Sequence, residues 1–120
     1  MKNPRITFIA LSILTLTLAF SFPKADLTGT WNLSVETDMG SGNPSFALKQ
    51  DADGKITGTY SGQLGETALT GMIKADDTFH IEFDIQGNKI EYDGKADENK
   101  ISGKVTLGTM ATGTFTGVKK

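Results

Sequence analysis

Leu27-Thr28-Gly29-Thr30-Trp31-Asn32-Leu33-Ser34-Val35-Glu36 puts Leu27, Gly29, Trp31, Leu33 and Val35 on one parity and Thr28, Thr30, Asn32, Ser34 and Glu36 on the other. Strict period-two segregation is the pattern of a strand with one buried face. It returns at Phe46/Leu48, Ile56/Gly58/Tyr60, Leu69/Gly71/Ile73, Phe79/Ile81/Phe83/Ile85, Ile90/Tyr92/Gly94, Ile101/Gly103/Val105/Leu107 and Gly113/Phe115/Gly117. No helical period competes with it beyond the first 22 residues. The expectation is an all-β domain of eight antiparallel strands.

The joints carry turn chemistry. Asp53-Gly54 and Gly87-Asn88 suit tight hairpins, since Gly, Asn and Asp tolerate positive φ. Asp76-Asp77 and Asp97-Glu98-Asn99 are short polar turns, and Gly40-Ser41-Gly42-Asn43-Pro44 is the longest and most flexible link. Short joints pair strands in sequence order, as an up-and-down meander. Eight such strands shed their exposed edges when the last pairs with the first, so a small closed barrel is expected. Its outer face carries Thr, Ser, Lys, Glu and Asp, the reverse of an outer-membrane barrel. Inner glycines recur in Leu27-Thr28-Gly29, Ile56-Thr57-Gly58, Leu69-Thr70-Gly71 and Ile101-Ser102-Gly103, where they either relieve crowding at barrel corners or clear space for a ligand.

The N-terminus sets the compartment. Lys2 and Arg5 precede an apolar run from Ile6 to Phe22, and Pro23-Lys24-Ala25-Asp26 restores polarity. This is the layout of a secretory signal peptide, with a helical apolar core. Residues 1–21 are read as that signal and 26–120 as the barrel domain. Small residues place cleavage near residue 21 or, alternatively, 25. An uncleaved anchor is the rival reading, since the run sits at the lower length limit for crossing a bilayer. The expected location is periplasmic or extracellular, with no membrane attachment after cleavage.

Composition excludes several functions. The chain of 120 residues has no cysteine, which removes disulfides and a lipoprotein anchor. Its formal net charge is −2, and residues 1–21 hold two of its cations and no anion, so the remainder is more acidic. Arg5 is the only arginine. An acidic domain without arginine is a poor partner for nucleic acid.

A meander gathers alternate turns at opposite ends. One end receives the Asp-rich turns 51–54, 76–77 and 97–99 together with Asp26, and Trp31 plugs its floor. The other receives Asp38–Pro44, Gln63–Glu66, Gly87-Asn88 and Gly108–Thr112, with Met39, Leu64 and Met110 as exposed apolar residues. A pocket mouth belongs at that second end, and the candidate ligand-binding residues are Val35, Phe46, Tyr60, Phe83, Tyr92 and Leu107. The two phenols supply polar handles on apolar walls. A barrel of eight strands is only wide enough for its own side chains or one small ligand, so a filled core is the competing expectation.

Gly29-Thr30-Trp31 on the first strand, with Lys119 or Lys120 after the last, resembles the calycin arrangement of lipocalins, fatty-acid-binding proteins and avidins. That resemblance implies a tryptophan at the closed end with a cation from the final strand packed on it; lysine stands here where arginine is usual. Leu27-Thr28-Gly29-Thr30-Trp31 and Ile56-Thr57-Gly58-Thr59-Tyr60 are similar to the first and third strands of avidin-type proteins, which implies that Tyr60 faces a ligand. Ser61 lies one residue short of that family's serine, and Trp31 is the only tryptophan, so biotin binding is not implied. The ending Gly113-Thr114-Phe115-Thr116-Gly117 also resembles small secreted bacterial domains.

No catalytic constellation is visible, and no cofactor is implied. His80, the only histidine, is expected as a solvated residue on the polar face. Glu82 and Asp84 on its own strand spread over ~13 Å, too far to close a zinc site. Gly58-Thr59-Tyr60-Ser61-Gly62 is not a nucleophile elbow. Asp51-Ala52-Asp53-Gly54 begins like a calcium loop but has Lys55 and Gly62 where ligands belong, and reads as a hairpin. The leading expectation is a secreted, non-catalytic binding module for one small apolar or amphipathic ligand. The alternatives are a protein-binding module, such as an extracytoplasmic protease inhibitor using Phe22 to Asp26 as an arm, and a packed barrel with a structural role.

Overall fold

The computed structural model describes residues 23–120; the leader-like segment and the first cleavage position lie outside them. Nine strands form one antiparallel sheet: β1 Gly29–Thr37, β2 Gly40–Gly42, β3 Ser45–Gln50, β4 Lys55–Gly62, β5 Gly65–Ile73, β6 Thr78–Ile85, β7 Asn88–Asp97, β8 Lys100–Leu107 and β9 Ala111–Lys119. Strands β3 to β9 pair in sequence order, and β1 pairs with β3 on one side and β9 on the other. The register runs from Trp31 opposite Lys119 to Thr37 opposite Gly113. The barrel is closed. Eight strands make it, as expected, and β2 is an addition. Gly40–Gly42 folds back to pair with Val35–Thr37, so the supposed flexible link extends the sheet over one end.

The odd–even segregation is realised. Leu27, Trp31, Leu33, Phe46, Ile56, Leu69, Ile81, Phe83, Val105 and Phe115 lie in one core, while Thr30, Asn32 and Ser34 between them face out. Inner glycines let this core close. A Cβ on Gly103 would strike the Asp93 carbonyl oxygen, and one on Gly117 would strike Leu33. These are corner and packing glycines, as the crowding reading holds.

Three turns depend on positive φ at ordinary residues: Asp77 (66°), Gln86 (53°) and Glu98 (58°). The 86–88 turn corrects the sequence reading by one position. Its two positive-φ residues are Gln86 and Gly87 (81°), not Gly87 and Asn88. Asn88 opens β7 and donates from Nδ2 to the Gln86 carbonyl at 3.2 Å, which fixes the turn one residue earlier. Asp51 forms a hairpin turn as expected, with Oδ1 accepting from the amides of Asp53 and Lys55, both at 2.9 Å.

The Asp-rich end is sealed. Trp31 is fully buried and donates from Nε1 to the Leu27 carbonyl at 2.8 Å. Lys119 Nζ lies 5.3 Å from the Trp31 ring centroid and donates to the Asp26 carbonyl at 2.8 Å, a cation–π contact of the kind the calycin resemblance implies. Ala25 and Leu27 are buried beneath it. The amides of Lys24 and Ala25 both donate to Asp77 Oδ1, at 2.7 and 3.1 Å.

Candidate functional site

At the opposite end a cleft of about 230 Å³ opens to solvent. Its walls come from five places in the sequence. Val35 and Thr37 end β1, Met39 to Pro44 bring β2, Tyr60 to Leu64 end β4, and Tyr92, Leu107 and Met110 complete the rim. The β2 lip is held locally: the Thr37 hydroxyl donates to the Gly40 carbonyl at 3.0 Å and accepts from the Met39 amide at 3.1 Å. Gly40 has φ 123° and nothing near its missing Cβ. That conformation is glycine territory and turns the lip over the mouth.

Four of the six residues singled out from sequence line this cleft: Val35, Tyr60, Tyr92 and Leu107. Phe46 and Phe83 do not. Phe46 is fully buried and meets Tyr92 edge-on at 5.0 Å, while Phe83 stacks on Tyr60 at 4.4 Å between ring centroids. They form the packed layer on which the cleft rests. Tyr92 in turn meets Phe115 at 5.0 Å, and Phe115 meets Phe79 at 6.2 Å. An aromatic column therefore runs from mouth to floor, and the filled-core expectation holds below the mouth. Thr37, Gln63, Leu64 and Met110 join the lining; Leu64 and Met110 carried a signal, as apolar residues in turns of this end.

Among the described residues no side chain of the lining carries a charge at neutral pH, and its only ionisable groups are the phenols of Tyr60 and Tyr92. Burial pushes both phenols above their ordinary value, Tyr92 the more strongly. They stay neutral hydrogen-bonding groups at any physiological pH.

A second group gathers on the outer face. His80 was expected to stand alone in solvent, and it does not. Its Nδ1 lies 2.6 Å from Asp93 Oδ1 and its Nε2 lies 2.8 Å from Glu82 Oε1. Glu91 Oε1 is 3.8 Å from the same Nε2. Partial burial opposes charge on the ring, but the bonds to Asp93 and then Glu82 outweigh it and raise the imidazole above its ordinary value. The partners come across the ladder from β7, since the β6–β7 register sets His80 against Asp93 and Glu82 against Glu91. Reading along β6 alone missed them.

The class that these features define is the closed antiparallel β-barrel. Solved structures share it. A redesigned β-barrel superposes with a TM-score of 0.67 at 13% identity, covering 78% of this chain and 91% of the other. A de novo designed fluorescence-activating β-barrel gives 0.63 at 12%, over 83% and 94%. A redesigned β-barrel bound to DFHBI gives 0.58 at 17%, over 78% and 98%. No family model and no curated protein matches the sequence.

Proposed function

We propose that this protein is a non-catalytic binding module for one small, uncharged, largely apolar molecule, held in the mouth cleft by apolar contact and oriented by the phenols of Tyr60 and Tyr92. The observation that carries this reading is the lining itself: apolar walls with two neutral polar handles and no charged side chain. A carboxylate or an amine would enter without a counter-charge and lose its hydration. About 230 Å³ is roughly eight waters' share of liquid volume, so the ligand has on the order of ten heavy atoms. A barrel of this fold that holds DFHBI supports the mode of use. The leader-like start supports a place of action in the periplasm or outside the cell. An inhibitor's free N-terminal arm is disfavoured, because Ala25 and Leu27 are tucked into the floor.

The test is a matched panel of one skeleton, naphthalene bearing a hydroxyl, a carboxylate or an ammonium group, followed by calorimetry and tyrosine fluorescence. The neutral compound should bind at one site with a Kd in the micromolar range, and Leu107→Arg should weaken it at least tenfold while leaving the fold intact. If none of the three binds below millimolar concentration, the cleft is not a ligand site. If the carboxylate binds as tightly as the neutral compound, the uncharged class is wrong.

A further inference from the structure

We propose that the outer face of β6 and β7 binds a first-row divalent cation of the Zn²⁺ type, with His80 Nε2 and the carboxylates of Glu82 and Glu91 as ligands and Asp93 orienting the imidazole. This site is separate from the mouth cleft and independent of it.

Three donor atoms, one from each of His80, Glu82 and Glu91, lie within 4.8 Å of one another. Ligands about 2.0–2.2 Å from a zinc ion stand roughly 3–3.5 Å apart. The 2.8 Å from His80 Nε2 to Glu82 Oε1 and the 3.8 Å to Glu91 Oε1 bracket that spacing, and the glutamates need only a small side-chain rotation to close on an ion. The backbones are already placed by the ladder, with Glu82 directly opposite Glu91. Two like charges facing each other on a sheet are destabilising; a divalent cation between them turns that repulsion into attraction.

The other ring nitrogen supplies the outer arrangement. Nδ1 faces Asp93 Oδ1 at 2.6 Å. With that N–H donating to the carboxylate, the ion displaces the proton that Nε2 shares with Glu82 Oε1 at 2.8 Å, releases it to solvent and takes up the freed lone pair, in the carboxylate–histidine–metal order of zinc proteins. Mixed imidazole and carboxylate donors favour Zn²⁺ over the all-oxygen preference of Ca²⁺ and Mg²⁺. Lys89 Nζ occupies the other side of Glu82, 3.3 Å from Oε2, which leaves Oε1 for the ion. An open depression between β4, β5 and β6 has His80 and Glu82 on its wall, beside Thr70 and Met72. Water reaches the remaining coordination positions from there.

Zn²⁺ titration of the full chain by calorimetry, with Co²⁺ absorption as the optical probe, tests this. One equivalent should bind. His80→Asn and Glu91→Gln should each weaken it at least tenfold, and Asp93→Asn by about tenfold. Since His80 is the only histidine, its Nε2 nitrogen resonance should shift on addition of Zn²⁺ without ambiguity. No binding at millimolar Zn²⁺, or Zn²⁺ binding that His80→Asn leaves unchanged, overturns the site. Ca²⁺ bound as tightly as Zn²⁺ also overturns it, since that would mark a carboxylate cluster in which the imidazole takes no part. These substitutions sit on the solvent face, and unchanged near-ultraviolet dichroism will show that the barrel persists.

Discussion

Tyr60 and Tyr92 are the residues where packing and site meet. Each turns its ring into the aromatic column, and both line the mouth cleft. Burial disfavours the phenolate, so both folded values lie above the ordinary 10.0. The sign follows. An unfolded tyrosine ionises near pH 10 while the folded one keeps its proton. Stability from these residues is therefore complete below about pH 10 and is lost as pH rises through the folded values. An alkaline titration should show less phenolate absorbance near pH 10 in the native protein than in the unfolded chain, with the remainder rising as near-ultraviolet dichroism is lost. A phenolate band appearing with its ordinary midpoint in a folded protein would mean that these rings are wet. That Tyr60 and Tyr92 face inward was legible from alternation. That both line the mouth cleft was not legible there, since Phe46, directly opposite Tyr60, and Phe83, nearer the 86–88 turn than Tyr92, do not line it.

Among the seams of the barrel, β5–β6 and β1–β3 are the shortest, with four paired positions each. Only Thr70–Ile73 pair with Phe79–Glu82, whereas β6 and β7 pair from Thr78 opposite Lys95 to Ile85 opposite Asn88. Past Thr70 the strands are bridged by side chains: the Thr67 hydroxyl donates to the Asp84 carbonyl at 3.4 Å, and Gln86 Nε2 donates to the Leu64 carbonyl at 2.9 Å. Unpaired ladder positions open at low free energy. Hydrogen exchange should therefore be faster at the Glu66–Leu69 amides that face β6 than at the paired amides of β6 and β7. Uniform protection around the barrel would contradict a weak seam. It borders the cleft through Leu64, so opening there widens the mouth. The lip strand β2 was hidden from the sequence for a related reason. Gly40-Ser41-Gly42 has no apolar side chain to betray a face, and its strand character comes wholly from pairing with Val35–Thr37.

For the whole molecule, closure of β1 on β9 is the decisive contact. It buries Trp31 and Phe115 and leaves neither strand as an edge. The last residues meet the start of the barrel there as well: the Lys120 amide donates to the Thr30 carbonyl at 2.8 Å, and Lys119 Nζ donates to the Asp26 carbonyl. A permuted chain joining 120 to 26 by a short linker and opened between Gln86 and Gly87 should fold, because the cut falls in an exposed turn. Removal of residues 111–120 should abolish the native fold, because β1 and β8 become unpaired edges with the core exposed. Dispersed amide resonances separate the outcomes; a folded truncation or an unfolded permutant would show that closure is not what holds the barrel.

The sequence by itself determined the strands, the side of each that is greasy and the meander, because a period of two is written residue by residue and turn chemistry is local. It also placed Trp31 at the floor, while the resemblance left its cation open between Lys119 and Lys120 and the structure takes Lys119. What only the tertiary structure decided is everything that depends on register and depth. Glu91 and Asp93 are far from His80 along the chain, and a ladder shifted by one residue would turn them to the other face. Likewise Phe46 and Tyr60 share one apolar face and stand opposite each other in the ladder, yet only Tyr60 lines the cleft. Such distances are set by the pairing of strands against strands, which no single segment encodes.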